Sequence, residues 1–343
     1  MLMNNLQLKS AYVEITSKCN LYCRHCYNNS SITNNTELAT KTIKNLYEDF
    51  ANNNIRYIAL SGGEPFLHTN IQNILDFSEK YSIDTQIVTN GVLIANFIEK
   101  IHKNSYLNFQ ISIDGIGEIH DKLRGKPIFD IVDKNIDLLK QCTKYVVLKA
   151  TINKFNIKDL KNIIEYSVSK KISKLSFSML NMQGRAFDNN DIFLSNQESR
   201  EVIRNLNILT NEYKDKIEIT PPKLTNTICP FLDNPNAEVS PRIDVIGNIY
   251  LCSMFVNPMF RLGNIYHNNV SDIIKSCRTD NVINFLHSFY AINECRECYM
   301  NSICSRGCPA QYLNTLSNYV VDTCSLKKDS MLQSILDSNK TIV

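Results

Sequence analysis

Apolar positions in the first half of the chain recur with two alternating periods. Short β-rich runs stand at 11–16, 55–60, 85–89, 109–113, 146–152 and 174–178. Between them lie amphipathic stretches at 38–50, 71–80, 93–102, 131–141 and 159–169. In the second stretch Ile71, Ile74 and Leu75 mark the face turned towards a sheet. Six strand-then-helix units predict a parallel sheet with helices on its outer face. Right-handed crossovers would curl that sheet into an open, partial (β/α)6 TIM-like barrel. Ligands of such folds gather beyond the C-terminal ends of the strands.

The polar, Gly-rich loops fall at those ends. A cysteine loop follows the first strand, Ser61-Gly62-Gly63-Glu64-Pro65 the second and Thr89-Asn90-Gly91 the third, while Ser112-Ile113-Asp114-Gly115 ends the fourth. A further helix is expected at 195–214, and Pro221-Pro222 marks a domain boundary, giving units at 1–220 and 221–343. In the second unit, 242–245 and 249–252 flank Gly247-Asn248 as a β-hairpin. A short helix is expected at 271–276 with Ser271 as its N-cap, and a last helix near the C-terminus.

Composition narrows the classes. The chain has 343 residues, 43% of them apolar, and a net charge of +3. That charge gives no argument for nucleic acid or membrane binding. The N-terminus has no signal-peptide pattern, and no run of 18 apolar residues offers a membrane span. A cytoplasmic location is expected, where twelve cysteines serve better as metal ligands than as disulfides.

Cys19, Cys23 and Cys26 are spaced C-x3-C-x2-C. Three thiolates on a four-iron cluster leave one iron open to a small molecule; the same three residues with His25 also read as a zinc knuckle. Gly62-Gly63 suits a backbone that must approach a charged ligand closely, and Glu64 offers acceptors to an ammonium group. This combination resembles the radical S-adenosylmethionine (SAM) enzymes. The resemblance implies a radical-SAM [4Fe-4S] cluster on the three cysteines, whose open iron chelates SAM, and reductive cleavage to a 5′-deoxyadenosyl radical. It also implies that Gly62, Gly63 and Glu64 meet the amino group of SAM. Ser112 and Arg124 stand where anaerobic sulfatase-maturating enzymes place SAM-carboxylate contacts, and an Arg fork suits a carboxylate. His25 takes the position of an aromatic residue that touches adenine, and Asn90 is the candidate for the ribose.

A second constellation comprises Cys229, Cys252, Cys295, Cys298, Cys304, Cys308 and Cys324. Its later spacings resemble the SPASM domain, although the gap from Cys229 to Gly247 is longer than usual there. The resemblance implies two auxiliary [4Fe-4S] clusters, one closed by Cys295, Cys298, Cys304 and Cys324. The other would rest on Cys229, Cys252 and Cys308, because Pro235 replaces a further cysteine of sulfatase maturases. A zinc site on C-x2-C-x5-C-x3-C is the alternative. Cys142 and Cys277 fall outside both patterns.

The resemblance implies a peptide or protein substrate and a flavodoxin- or ferredoxin-type electron donor. Ribosomal-peptide maturation by thioether or other crosslinking is the leading reading. An open auxiliary iron would take a substrate thiolate. Formylglycine formation is disfavoured because Ser253, a poor general base, replaces the aspartate that accepts a proton in sulfatase maturases. Tetrapyrrole modification is a further alternative, and an iron–sulfur or zinc electron-transfer module the non-enzymatic one. The first strand opens at Ala11, so leader recognition is expected from a separate protein or by direct binding. No catalytic acid or base can be picked from the sequence.

Overall fold

The computed structural model describes residues 6–142, 144–181, 183–222, 231, 237–254, 256, 258–275 and 282. In chain order the elements are β1 (Gln7–Leu8), β2 (Tyr12–Thr16), α1 (Thr40–Asn52), β3 (Tyr57–Gly62), α2 (Ile71–Tyr81), β4 (Asp84–Thr89) and α3 (Ile98–Lys103). There follow β5 (Leu107–Ser112), α4 (Glu118–Arg124), α5 (Phe129–Gln141), β6 (Val146–Ile152), α6 (Leu160–Ser169), β7 (Lys174–Met179), α7 (Asn196–Tyr213) and β8 (Glu218–Thr220). Beyond these lie β9 (Glu238–Val239), β10 (Arg242–Ile243), β11 (Asn248–Tyr250), β12 (Gly263–Asn264) and α8 (Val270–Lys275).

The main sheet runs β12-β11-β10-β2-β3-β4-β5-β6-β7-β8. From β2 to β8 every neighbour is parallel and consecutive, the order of a partial (β/α) barrel. Strand β8, with its three residues, adds a seventh parallel strand that the sequence pattern does not reveal. One face of the strands is apolar. In β5, Leu107, Phe109 and Ile111 are buried while Asn108, Gln110 and Ser112 are half-buried. The apolar set belongs to the core, with Val132, Ile136 and Leu139 of α5 and Ile163 and Ile164 of α6. The polar set therefore faces the opposite, concave side, since strand side chains alternate.

Helices fall where the apolar period places them, with local differences. The 93–102 stretch is divided into a 3-10 turn, Ile94–Phe97, and the short α3. Helix α4 is unexpected; its seven residues are too few to display a period, and Gly125 closes it in the left-handed region at φ 84°. Helix α7 begins with a capping box in which Ser195 accepts from the Glu198 N–H and the Glu198 carboxylate accepts from the Ser195 N–H. Ser271 lies inside α8 rather than at its cap. Its N–H and hydroxyl both donate to the Asp49 carboxylate of α1.

Strand β10 pairs parallel with β2, Arg242 beside Tyr12, so chain beyond Pro221-Pro222 continues the core sheet. The hairpin of β10 and β11 turns through Val245-Ile246, and the Gly247 N–H donates to Asp244 O at 2.9 Å. Gly247 takes the left-handed position at φ 85°, while Asn248 already belongs to β11. The turn thus centres two residues earlier than Gly247-Asn248 suggests. Cys229, Cys277, Cys295, Cys298, Cys304, Cys308 and Cys324, and the expected C-terminal helix, lie outside the described residues.

Candidate functional site

The cysteine loop leaves β2 at Thr16 and is tied off before α1. Ser17 N–H donates to Thr36 O at 2.8 Å and Cys19 N–H to Ser31 O at 3.0 Å, closing the loop on itself. Against it lies the glycine turn after β3: Gly63 N–H donates to Thr16 O at 2.7 Å and Glu64 N–H to Lys18 O at 2.8 Å. A Cβ on Gly62 would stand 2.2 Å from Thr16 O, and one on Gly63 would stand 2.2 Å from Lys18 O. Both glycines are therefore needed for contact with the protein's own backbone, a reason the sequence alone does not supply.

Each of the three thiols has an N–H near its sulfur. Cys19 Sγ is 3.5 Å from the Leu21 N–H and 3.9 Å from Asn90 Nδ2. Cys26 Sγ is 3.4 Å from the Ser30 N–H, and Cys23 Sγ is 4.0 Å from Arg124 Nη1. Burial pushes the Cys19 thiol up to about 12, with Glu64 adding to it, and the Cys23 thiol up to about 11 against the pull of Arg124. A metal that takes these sulfurs must displace their protons, and N–H groups aimed at sulfur stabilise the resulting thiolates. Among the described residues no three His, Cys, Asp or Glu side chains close around one point as a single metal ion requires. A four-iron cluster spreads its thiolates over separate irons, and three thiols on one loop, each with an N–H near its sulfur, are the donor set such a cluster takes. The zinc knuckle fits less well, because His25 turns its Nε2 to Asp114 Oδ2 at 3.2 Å.

Glu64 is fully buried. Its carboxylate accepts from Thr89 Oγ1 at 2.8 Å, from the Asn90 N–H at 2.9 Å and from the Phe66 N–H at 3.3 Å. Burial nevertheless raises its pKa to about 7, the three hydrogen bonds opposing it only in part. Asn90 holds Asn20 Oδ1 at 2.8 Å through Nδ2. The structure thus joins Cys19, Glu64 and Asn90 in one patch.

A second patch joins Cys23, His25 and Arg124. Asp114 Oδ2 lies 2.5 Å from Arg124 Nη2, and Asp114 Oδ1 accepts from the Thr151 N–H at 2.8 Å. Burial works against the Asp114 charge, but Arg124 and His25 hold its carboxyl well below the usual range. His120 accepts from the Asp114 N–H through Nδ1 at 3.2 Å; burial and Arg124 push it down to about 4. Arg124 Nε and His25 Nδ1 are buried and have no hydrogen-bond partner among the described residues, which leaves both side chains capacity to meet a ligand. Ser112 ends β5 half-buried on the concave side, in register with Lys149 of β6. Burial lowers the Lys149 amine.

Two arginines at the site carry no motif that would flag them. Arg242 of β10 meets Glu14 at 2.6 Å, Asn28 Oδ1 at 2.6 Å and Ser253 O at 3.3 Å, and lies over the Tyr27 ring. Arg185 reaches the cysteine loop from the segment after β7.

A model of the Radical SAM superfamily matches residues 13–167, and one of the SPASM iron-sulfur cluster-binding domain matches residues 237–299. The chain is 33% identical over 192 residues to Fe-coproporphyrin III synthase of Methanosarcina barkeri (strain Fusaro / DSM 804), covering 55% of this chain and 48% of the relative. It therefore spans about half the length of that relative. It is 24% identical over 339 residues to the antilisterial bacteriocin subtilosin biosynthesis protein AlbA of Bacillus subtilis (strain 168), covering 95% and 72%. The fold is similar to that of Streptococcus suis SuiB bound to precursor peptide SuiA, with a TM-score of 0.72 at 17% identity, over 94% of this chain and 76% of that one.

Proposed function

We propose, for a chain that belongs to the radical SAM superfamily and carries a SPASM iron–sulfur domain, that it uses SAM to modify a peptide or protein substrate. One observation carries the reading: three thiols, each with an N–H at its sulfur, lie on a loop packed against Gly62-Gly63-Glu64. Cys19, Cys23 and Cys26 would hold the radical [4Fe-4S] cluster. The cluster they would hold, once reduced, would supply the electron for reductive cleavage of SAM and so the chemistry of hydrogen-atom abstraction from substrate. Glu64 would receive the ammonium group of SAM, whose positive charge offsets the burial that raises its pKa to about 7. Arg124, whose Nε has no hydrogen-bond partner among the described residues, would meet the carboxylate of SAM beside Ser112. His25 would lie by the adenine, fixed by Asp114, and Asn90 by the ribose.

The finer reading is ribosomal-peptide crosslinking, supported by similarity to AlbA along 95% of the chain. The two auxiliary clusters would rest on Cys229, Cys252 and Cys308 and on Cys295, Cys298, Cys304 and Cys324. A flavodoxin or ferredoxin would supply electrons, and a separate protein would present the leader. Among the described residues no helix is long and apolar enough to cross a membrane. The relation to Fe-coproporphyrin III synthase favours tetrapyrrole modification as the second reading; turnover of a haem precursor in place of a peptide would decide for it.

The test is SAM cleavage. Anaerobically reconstituted protein with dithionite should release 5′-deoxyadenosine and hold about twelve irons. The triple change Cys19→Ala, Cys23→Ala, Cys26→Ala should lose about four irons and all cleavage. Undiminished cleavage by the triple variant would overturn the assignment.

A further inference from the structure

The segment 183–191, after β7, lies along the cysteine loop and satisfies its backbone. Gly184 takes φ +56°, and a Cβ there would stand 2.4 Å from Cys26 O and 2.6 Å from Tyr27 O. That close approach lets the Arg185 N–H donate to Cys26 O at 2.9 Å. The Arg185 side chain then turns into the loop. Its Nε donates to Cys23 O at 2.8 Å, Nη2 to Ser30 O at 2.7 Å and Nη1 to Asn29 Oδ1 at 3.3 Å. The exposed Tyr22 ring covers the guanidinium, 3.5 Å from its carbon. A second clasp lies beside the first. Asn189 Nδ2 donates to Arg24 O at 3.3 Å, and Arg24 pairs with both oxygens of Asp191 at 2.7 and 2.8 Å.

We propose that Arg185 is a positioning residue that presets the shape of the 19–26 loop, so that its three thiols are spaced for a cluster before any iron arrives. The inference rests on reading that loop as the seat of the radical cluster. The loop is irregular backbone, and its exposed carbonyls need partners to keep one conformation. Cys23 O and Ser30 O come from opposite limbs of the loop, and one planar fork spans both. A lysine, as a point charge on a flexible stem, can serve one limb but cannot bridge two in fixed geometry. Buried at 5% exposure, the guanidinium is largely shielded from water that would compete for these bonds. Its partners are Cys23 O, Ser30 O and Asn29 Oδ1, all of the loop, so the residue acts through the loop.

The experiment uses the metal-free full-length protein, prepared anaerobically. Iodoacetamide modification of Cys19, Cys23, Cys26 and Cys142 is followed by mass spectrometry in wild type, Arg185→Gln and Arg185→Lys. Cys142, which follows α5, reports global unfolding. Arg185→Gln should raise modification of Cys23 and Cys26 about tenfold or more, as loss of two charge-assisted hydrogen bonds implies, with Cys142 unchanged. Arg185→Lys should fall between. After reconstitution, both variants should show a changed paramagnetic spectrum of the reduced radical cluster. Rates at Cys23 and Cys26 indistinguishable from wild type would overturn the proposal. Should Arg185→Gln also expose Cys142, the Arg185→Lys rates decide by the same criterion. A wild type that binds no iron at Cys19, Cys23 and Cys26 would refute the cluster reading and leave the alkylation result standing.

Discussion

Two buried carboxylate–guanidinium pairs stand at the site, and their carboxylates are perturbed in opposite directions. Asp114 at the end of β5 faces Arg124 at 2.5 Å, His25 at 3.2 Å and the Thr151 N–H at 2.8 Å, and its carboxyl lies well below the usual range. Glu14 of β2 faces Arg242 at 2.6 Å, yet burial outweighs Arg242 and raises its pKa. At Glu14 one guanidinium and the Asn28 side chain do not repay the desolvation, to which the Asp244 charge adds; at Asp114 Arg124 and His25 together do. The Asp114 group is therefore a charged scaffold that fixes His25 and Arg124 next to the cysteine loop. The Glu14 group is a tie between β2, the cysteine loop through Asn28, and the segment next to Cys252 through Ser253 O.

The largest effect should follow from breaking the Asp114 group. Asp114→Ala leaves Arg124 and His25 facing an apolar gap and should cost about 3–5 kcal/mol, read from urea unfolding of the metal-free protein. A loss no greater than that of an exposed carboxylate would remove the distinction between the pairs. Next comes Arg242→Met, which should cost about 1–3 kcal/mol, because Glu14 can answer by taking a proton.

The two carboxylates should also give opposite pH slopes. Asp114, with a depressed pKa, contributes stability that is present above its ordinary value of 3.8 and is lost as pH falls. Glu14 and Glu64, with raised pKa values, favour the folded state in acid and lose that contribution as pH rises; for Glu64 the loss runs from the ordinary 4.5 through about 7. The metal-free protein should accordingly melt lower as pH increases across that window. Glu64→Gln should remove most of that slope, and an unchanged slope would contradict the burial of an ionising Glu64. The smallest effect is expected from Glu14→Gln, which should move stability by about 1 kcal/mol at neutral pH, visible as a shift in melting temperature of the same preparation.

Much of this was legible in the chain itself. Strand positions came within two or three residues, because alternating and helical periods report which faces are buried. The run 146–152 coincides with β6. The cysteine spacing and the GGEP turn were legible because ligand chemistry demands fixed residue types at fixed intervals. Helix α4 and strand β8 were not, since seven and three residues carry no usable period. The hairpin turn was misplaced by two residues because Gly247 signals a left-handed position without saying which place in the turn requires it.

What the sequence determined by itself was the order of strands and helices, the three thiols and the residue types around them, all of which depend on local spacing. What only the tertiary structure decided was partnership between residues far apart in the chain. Gly62 and Gly63 are needed because β2 and β3 bring two backbones into contact. Arg242 and Arg185, remote from every motif, reach Glu14 and Cys23 O across separations of 228 and 162 residues. Such pairs have no period and no interval. Arg242 reaches Glu14 because β10 pairs with β2, and Arg185 reaches Cys23 O because the segment after β7 lies along the cysteine loop; burial then makes each unpaired polar group too costly to leave alone.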